Sequence, residues 1–223
     1  MVLAYRNRGI YYMLDVHPPD EKMHGVRDFL LHLFTITVGL LIALALEGCA
    51  ERWHQHHLRD EADQNLRQEL RDNERDLATT RGAIAAEQKN LINAFKFLQA
   101  RSQNKPYDIQ GITLNFTSST LSDASWRTAT ATGALSFMEY GRVQQFASAY
   151  QEQELFARLE LESIDYYLQL NSYVAYGFDP KTMSSDDAKL AMMDVSRTLS
   201  HLTAMDQVGE GLRQAYDKAL AGK

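Results

Sequence analysis

The sequence predicts an all-α protein with one N-terminal transmembrane helix followed by an antiparallel bundle of long helices. Three observations lead to this prediction. One apolar stretch, residues 29–46, contains no Asp, Glu, Lys or Arg. Residues 51–101 contain no proline and a single glycine, Gly82. Beyond residue 120, apolar residues recur at helical spacing between breaks rich in glycine, proline and serine.

Composition limits the class of protein. The chain has 223 residues, of which 45% are apolar, and 23 Lys and Arg stand against 29 Asp and Glu. An acidic balance argues against nucleic acid as a partner, because nucleic-acid binding needs a basic surface. The lone cysteine, Cys49, excludes an intrachain disulfide and any CxxC motif. We predict an N-terminal tail at 1–28, a transmembrane helix at 29–50 and a helical bundle domain at 51–223.

The apolar stretch has the length of a membrane span. Its 18 residues make a helix of roughly 27 Å, close to the ~30 Å hydrocarbon thickness of a bilayer. Arg27 and Asp28 precede it, Glu47 follows it, and Trp53 stands where an interfacial anchor is expected. The alternative is a buried core helix of a soluble protein. A cleaved signal peptide agrees less well. The apolar region of a signal peptide has about 7–15 residues and precedes a small-residue cleavage site, whereas this stretch is longer and no Ala-x-Ala site follows it.

Processing and orientation are less clearly marked. The segment 46–49, Leu-Glu-Gly-Cys, is similar to a lipoprotein box, but Glu47 occupies a position where that motif has a small or aliphatic residue. An unmodified Cys49 is the default and a lipidated one the alternative. Cations near the two ends of the span nearly balance: Arg6, Arg8, Lys22 and Arg27 before it, and Arg52, Arg59 and Arg67 after it. The positive-inside rule slightly favours a cytoplasmic N-terminus and an exported bundle, and Met13 is an alternative start.

The residues after the span predict a long helix. Five apolar residues repeat at intervals of seven: Leu70, Leu77, Ile84, Leu91 and Leu98. The companion column is mostly polar or small: Leu66, Asn73, Thr80, Glu87 and Ala94. A dimeric coiled coil needs a more apolar second column. The pattern therefore agrees at least as well with a helix that packs inside its own bundle.

Three further helices are predicted. Ser122 caps a short helix that ends at Thr132, before Gly133. A long helix covers 139–176, with an expected apolar stripe formed by Val143, Ala147, Tyr150, Ala157, Leu161, Ile164 and Leu168 and widened by Leu155, Leu159 and Tyr166. A stripe of this breadth predicts contact with more than one neighbour. The last helix follows a cap at 184–187, and its core positions are Ala188, Ala191, Val195, Leu202, Met205, Leu212, Tyr216 and Ala219.

Six of the seven histidines flank or enter the span: His17, His24, His32, His54, His56 and His57. On a helix His54 and His57 share a face whereas His56 does not, so one helix cannot direct all three at one ion. We expect solvated or headgroup-level histidines, with neither a metal site nor a cofactor. His32 lies about one turn from Arg27 and can reach the membrane interface.

Two other segments invite a functional interpretation. Thr35, Gly39 and Ala43 lie four residues apart in the span, and small residues at this spacing let two helices approach closely. We therefore predict a transmembrane association face, to which Thr35 can add an interhelical hydrogen bond. The segment 125–134 is rich in small residues around Trp126 and predicts either a ligand pocket or a short helix pressed against a neighbour.

Several segments resemble a known group of proteins. The residues concerned are His-Pro-Pro at 17–19, Arg-Asp-Phe at 27–29, the Thr-Val-Gly-Leu-Leu-Ile-Ala-Leu-Ala-Leu-Glu run at 37–47, and Ser-Trp-Arg-Thr-Ala-Thr-Ala-Thr-Gly-Ala-Leu at 125–135. Together they resemble a group of uncharacterised bacterial single-pass membrane proteins with a short tail, a similar span and a helical domain. The resemblance implies placement in the bacterial inner membrane, and it implies no catalytic or binding residues.

The chain contains no phosphate loop, nucleophile elbow or dinucleotide fingerprint, which argues against an enzyme. We predict a non-enzymatic, membrane-anchored helical protein that acts as an accessory or scaffolding subunit of a membrane complex or as a homo-oligomer. Its partners would be the lipid bilayer and either itself or other membrane subunits. The alternative is an exported helical sensor that binds a ligand near Trp126 and works with a separate transducer.

Overall fold

The computed structural model describes residues 25–107, 114–175 and 182–222, and these residues form helices and connections without strands. The elements are α1 (Val26–Ser102), α2 (Ala124–Ala131), a 3₁₀ turn (Ala134–Phe137), α3 (Tyr140–Ala175) and α4 (Ser185–Ala221). The prediction of an all-α fold with a bundle of long helices is confirmed. The chain divides into two compact units, Met1–Arg52 and Trp53–Lys223.

In the first unit, α1 contains one segment that is long and apolar enough to cross a membrane. None of this segment is buried against other parts of the chain. Phe34 and Ile36, for example, each expose 67% of their surface. A core helix of a soluble protein buries such side chains, so this exposure disfavours the core-helix alternative for the isolated chain.

In the second unit, both heptad columns of α1 are buried, and the prediction that this helix packs inside its own bundle is confirmed. Leu70 and Leu91 of the apolar column are fully enclosed. Asn73, Thr80 and Glu87 of the companion column are no more than 3% exposed. The polar column is therefore part of the core and not a solvated side of the helix.

The expected apolar stripe on α3 is wrong over most of its length. Leu161 and Leu168 are 68% and 62% exposed, and Ile164 is also exposed. The buried face consists of Arg142, Phe146, Ala149, Tyr150, Gln153, Phe156, Glu160, Ser163, Tyr167 and Leu170. Its spacing of three and four residues is regular, but four of its members are polar or charged, and they hide the core face from a search for apolar periodicity. Tyr176, Gly177 and Pro180 lie outside the described residues.

The other helices agree more closely with the sequence. All eight predicted core positions of α4 are buried, and the Ser184 hydroxyl accepts the Asp187 N–H at 3.1 Å as the predicted cap. The short helix begins later than predicted, since Asp123 and not Ser122 occupies its N-cap position. Gly133 follows that helix with φ +73°, the left-handed conformation expected of a glycine after a helix.

One glycine of α4 reflects close packing. A Cβ atom at Gly209 would lie 3.1 Å from side-chain atoms of both Arg81 on α1 and Phe156 on α3. The absence of a side chain at Gly209 lets the three helices approach each other closely. This packing accounts for a glycine inside α4, although glycine lowers the intrinsic stability of a helix.

Candidate functional site

The predicted association face lies in the apolar segment of α1. A Cβ atom at Gly39 would meet no other atom within 4 Å. The Thr35 hydroxyl donates to the Leu31 carbonyl oxygen of its own helix at 3.0 Å. Its proton is therefore used locally, and its oxygen can still accept a hydrogen bond from a second helix. Association through Thr35, Gly39 and Ala43 stays a prediction.

The residues just beyond the apolar segment make local contacts. The rings of Trp53 and His57 stack with centroids 5.8 Å apart. Cys49 is exposed, and an Arg52 nitrogen lies 3.6 Å from its sulfur. In the part of the chain that the structure describes, no three His, Cys, Asp or Glu side chains are grouped as ligands for a metal ion. His17 and His24 lie outside the described residues.

Trp126 packs against a neighbouring helix. Its ring stacks on Tyr150 of α3, with centroids 5.2 Å apart and ring planes 22° apart. A surface pocket of about 320 Å³ lies beside α2. Apart from Leu58, its lining residues are small or polar, and Trp126 is not among them. Ser125 and Thr128 of α2 line that pocket, whereas Trp126 of the same helix packs on Tyr150 of α3.

The most distinctive polar feature is a segment of irregular backbone, residues 114–122, which we call the strap. Side chains of α1 and α3 hold it through hydrogen bonds. Glu87 accepts the Asn115 N–H at 3.2 Å, and Glu160 accepts both the N–H and the hydroxyl of Ser119. The Thr120 hydroxyl donates to Asp76 at 2.6 Å. Carboxylates that accept backbone N–H groups here replace the partners that a helix or sheet would supply.

Glu69 of α1 connects the end of the strap to α2. Its carboxylate accepts the Ser122 hydroxyl at 2.8 Å, the Ser125 N–H at 2.9 Å and the Tyr150 hydroxyl at 2.6 Å. Asp123, at the N-cap position of α2, makes no side-chain cap hydrogen bond. Glu69 therefore caps α2 from a different helix, where a negative charge also favours the helix dipole. Burial and the bond to Glu69 raise the pKa of Tyr150.

A polar layer crosses the core at the level of Ser122. Asn73 and Tyr216 both donate to the Gln153 side-chain oxygen, at 3.0 and 2.6 Å. Asn73 also holds both backbone groups of Ser122, accepting its N–H at 2.9 Å and donating to its carbonyl oxygen at 2.7 Å. The layer joins α1, α3, α4 and the strap through satisfied hydrogen bonds. Such a layer sets the register of the helices, because a shift would leave buried polar groups without partners.

Among the described residues, two buried side chains each keep one polar atom without a hydrogen-bond partner: Arg142 at Nη2, and Glu87. The Glu87 side chain is 3% exposed, one oxygen accepts from Asn115 and Asn90, and the other oxygen has no partner. Burial raises the pKa of Glu87 above its usual value. A cavity of about 10 Å³, lined in part by Glu87, Ser163 and Tyr167, adjoins this carboxyl group. A space of that size is at the lower limit for a single water molecule.

A Ser–His pair lies in the same part of the core but is not arranged for nucleophilic catalysis. The Ser163 oxygen is 2.9 Å from the His201 Nε2 atom, and that nitrogen is also 2.9 Å from the Leu159 carbonyl oxygen. Ser163 is 2% exposed. A substrate cannot reach it in this conformation, so the pair acts as a core hydrogen bond between α3 and α4.

A cluster of one acid and two arginines holds the end of α4. Asp63 bonds to both Arg67 and Arg142, at 2.6 and 2.9 Å. The two arginines donate to carbonyl oxygens of the last turn of α4 and just beyond it: Ala219, Leu220 and Gly222. Burial alone would raise the pKa of Asp63, but its bonds to Arg142 and Arg67 outweigh burial and hold the pKa below its usual value. The cluster satisfies carbonyl groups that a helix end leaves open.

The sequence predicts a connection over residues 102–120, but sequence reasoning missed the side chains that anchor the strap. The only indication was the polar column on α1, where Asn73 and Glu87 interrupt a heptad pattern. Comparison with known proteins adds no functional assignment, since no family model, no curated protein and no solved structure matches this chain. The resemblance to bacterial single-pass membrane proteins therefore stays a prediction from the sequence.

Proposed function

We propose that this chain is a non-enzymatic, membrane-anchored helical protein that serves as an accessory or scaffolding subunit of a membrane complex or as a homo-oligomer. The observation that carries this proposal is the apolar segment of α1, which is exposed along its length and joined to a helical unit with its own core. A bilayer would cover the exposed segment, and the helical unit would present its surface to other subunits.

The polar clusters of the bundle support a structural role. Glu69, Glu87 and Glu160 hold the strap, and Asp63 holds the end of α4 through two arginines. Each of these acids has a defined task in joining elements. An assembly subunit needs a rigid surface more than it needs reactive groups, and this use of buried charge agrees with that requirement.

For location, we propose the bacterial inner membrane with the C-terminal domain in the periplasm. The support is the sequence resemblance and the slight excess of cations before the span. Reporter fusions at the C-terminus test the orientation: alkaline phosphatase should be active there and a cytoplasmic reporter inactive. The opposite result would reverse the orientation and leave the anchoring role in place.

The composition of the native particle tests the role itself. The untagged protein is extracted from its native membrane in mild detergent, and the mass and subunits of its particle are measured. Stoichiometric foreign subunits would identify an accessory subunit, and a particle of several copies of the 25.4 kDa chain would identify a homo-oligomer. A monomer would contradict both forms of the proposal.

The sensor alternative receives no specific support. The Trp126 ring, on which it depended, lies against Tyr150. We therefore base no ligand-binding function on Trp126.

A further inference from the structure

The strap closes one side of the small cavity beside Glu87. Three of its residues, Asn115, Phe116 and Thr117, line the cavity, and we call them the cover. The cover is exposed, with Phe116 at 44%, whereas Glu87 is 3% exposed. The other described lining residues belong to α1, α3 and α4. A displacement of the cover would therefore let water reach Glu87 without movement of the long helices.

Glu87 both holds the cover and is shielded from water. One of its oxygens accepts the Asn115 N–H at 3.2 Å, and the other oxygen has no partner. The adjoining cavity of about 10 Å³ has room for about one water molecule at most. An ionised Glu87 would lose most of its hydration in this place, whereas a neutral carboxylic acid is buried at much lower cost.

The groups around Glu87 do not neutralise a negative charge. The residues three and four positions away on α1 are uncharged: Ala83, Ile84, Asn90 and Leu91. The strap contains no ionisable residue. On α3, Tyr167 lines the cavity and Glu160 bonds to the strap, and on α4 His201 bonds to Ser163, which also lines the cavity. Among the described residues, none of these groups forms an ion pair with Glu87.

Beyond the cover, other side chains anchor the strap. Glu160 accepts both the N–H and the hydroxyl of Ser119. Asn73 binds both backbone groups of Ser122. These anchors do not involve Glu87, so the cover can move while the rest of the strap stays in place.

We propose that the cover is a pH-sensitive latch, which is closed while Glu87 is protonated and opens when Glu87 releases its proton to water. Opening admits water to the carboxylate and restores the hydration that the closed form denies it. The inference goes beyond the proposed function and does not depend on it, because it concerns a movement within one chain.

The direction of the pH effect follows from linkage. In the closed form burial raises the pKa of Glu87, and in the open form the hydrated carboxyl group has its ordinary value of 4.5. Between these two pKa values the closed form keeps a proton that the open form has released. The equilibrium constant for opening therefore rises with pH in this range, by up to about tenfold per pH unit, and is constant above it.

The test is amide-resolved hydrogen exchange of the full chain in detergent micelles across pH, with each rate divided by its intrinsic rate. Protection of the Asn115 amide should fall by up to about tenfold per pH unit above 4.5 and then level off. The Ser119 amide, which Glu160 holds, should change little. In Glu87→Gln, protection of Asn115 should be independent of pH. The matched control, Glu162→Gln, changes an exposed acid of α3 and should follow the wild type.

Three results would overturn the inference: constant protection of Asn115 in the wild type, an equal fall at Ser119, or an unchanged pH dependence in Glu87→Gln. The first two are measured on the wild type, so they decide the matter even where Glu87→Gln fails to fold. The composition of the native particle bears on the proposed function alone.

Discussion

Glu87 shows how one ionisable residue can couple the core of this protein to pH. It occupies a core position of α1, holds the strap through Asn115, and has an oxygen without a partner. No ion pair of Glu87 occurs among the described residues. Of the ionisable side chains packed near it, Tyr167 lines the same cavity, and burial and the charge of Glu87 raise the pKa of Tyr167. A buried acid in such surroundings is more stable in its neutral form.

This leads to a prediction for Glu87→Gln. Burial raises the folded-state pKa of Glu87 above its ordinary value of 4.5, so between these two pKa values the folded state keeps a proton that the unfolded state has released. The wild type should therefore lose stability as pH rises from about 4.5 through the folded-state pKa. The variant should lack this loss and should be the more stable protein at neutral pH. Thermal unfolding measured across pH checks both statements.

Glu162→Gln is the control, because Glu162 is exposed on the neighbouring helix. It should leave the pH dependence unchanged. A Glu87→Gln protein that is less stable than the wild type at neutral pH would show that the carboxylate form is needed in the core.

At the scale of elements, the buried positions of α3 differ from the apolar positions that its sequence pattern suggests. Phe156→Ala should lower the free energy of unfolding by about 3–5 kcal/mol, because Phe156 is fully buried. Leu161→Ala should change it by no more than about 0.5 kcal/mol, because Leu161 is 68% exposed. Denaturant unfolding in dilute detergent, where copies are separated, measures both. A larger loss for Leu161→Ala than for Phe156→Ala would indicate that the predicted stripe, and not the observed face, forms the core.

The attachment of α2 depends on a residue of α1. Glu69→Gln removes one of two oxygens that together accept from Ser122, Ser125 and Tyr150. We expect a loss of about 1–3 kcal/mol, because buried donors are left without acceptors. Amide hydrogen exchange should accelerate in α2 more than in α4.

Glu61→Gln, on the exposed part of the same helix, should leave both quantities near their wild-type values. Uniform acceleration of exchange through the bundle after Glu69→Gln would contradict a local role for this carboxylate.

At the scale of the whole molecule, the apolar segment offers a separate test of assembly. Gly39→Leu should weaken association by about tenfold if two spans meet at Thr35, Gly39 and Ala43, because the added side chain prevents their close approach. Ala45→Leu adds similar volume on another side of the helix and should have little effect. Particle mass in mild detergent measures the difference. An unchanged oligomer after Gly39→Leu would exclude this face of the apolar segment as the contact between copies.

By itself, the sequence determined the helices and the apolar segment. Local patterns were sufficient for this: an 18-residue stretch without charge, a long run without proline, and the caps at Ser184 and Gly133. The heptad positions of α1 and α4 were predictable too, because most of their buried residues are apolar or small and recur at regular intervals.

The tertiary structure alone decided which polar residues belong to the core. Gln153, Glu160 and Ser163 of α3 are buried because the strap and α4 supply their hydrogen-bond partners from distant parts of the chain. No local period reveals such partners. The exposed leucines of α3, Leu161 and Leu168, were predicted as core residues for the complementary reason. Hydrophobicity shows that a side chain gains from burial, and only the fold shows whether its own chain buries it.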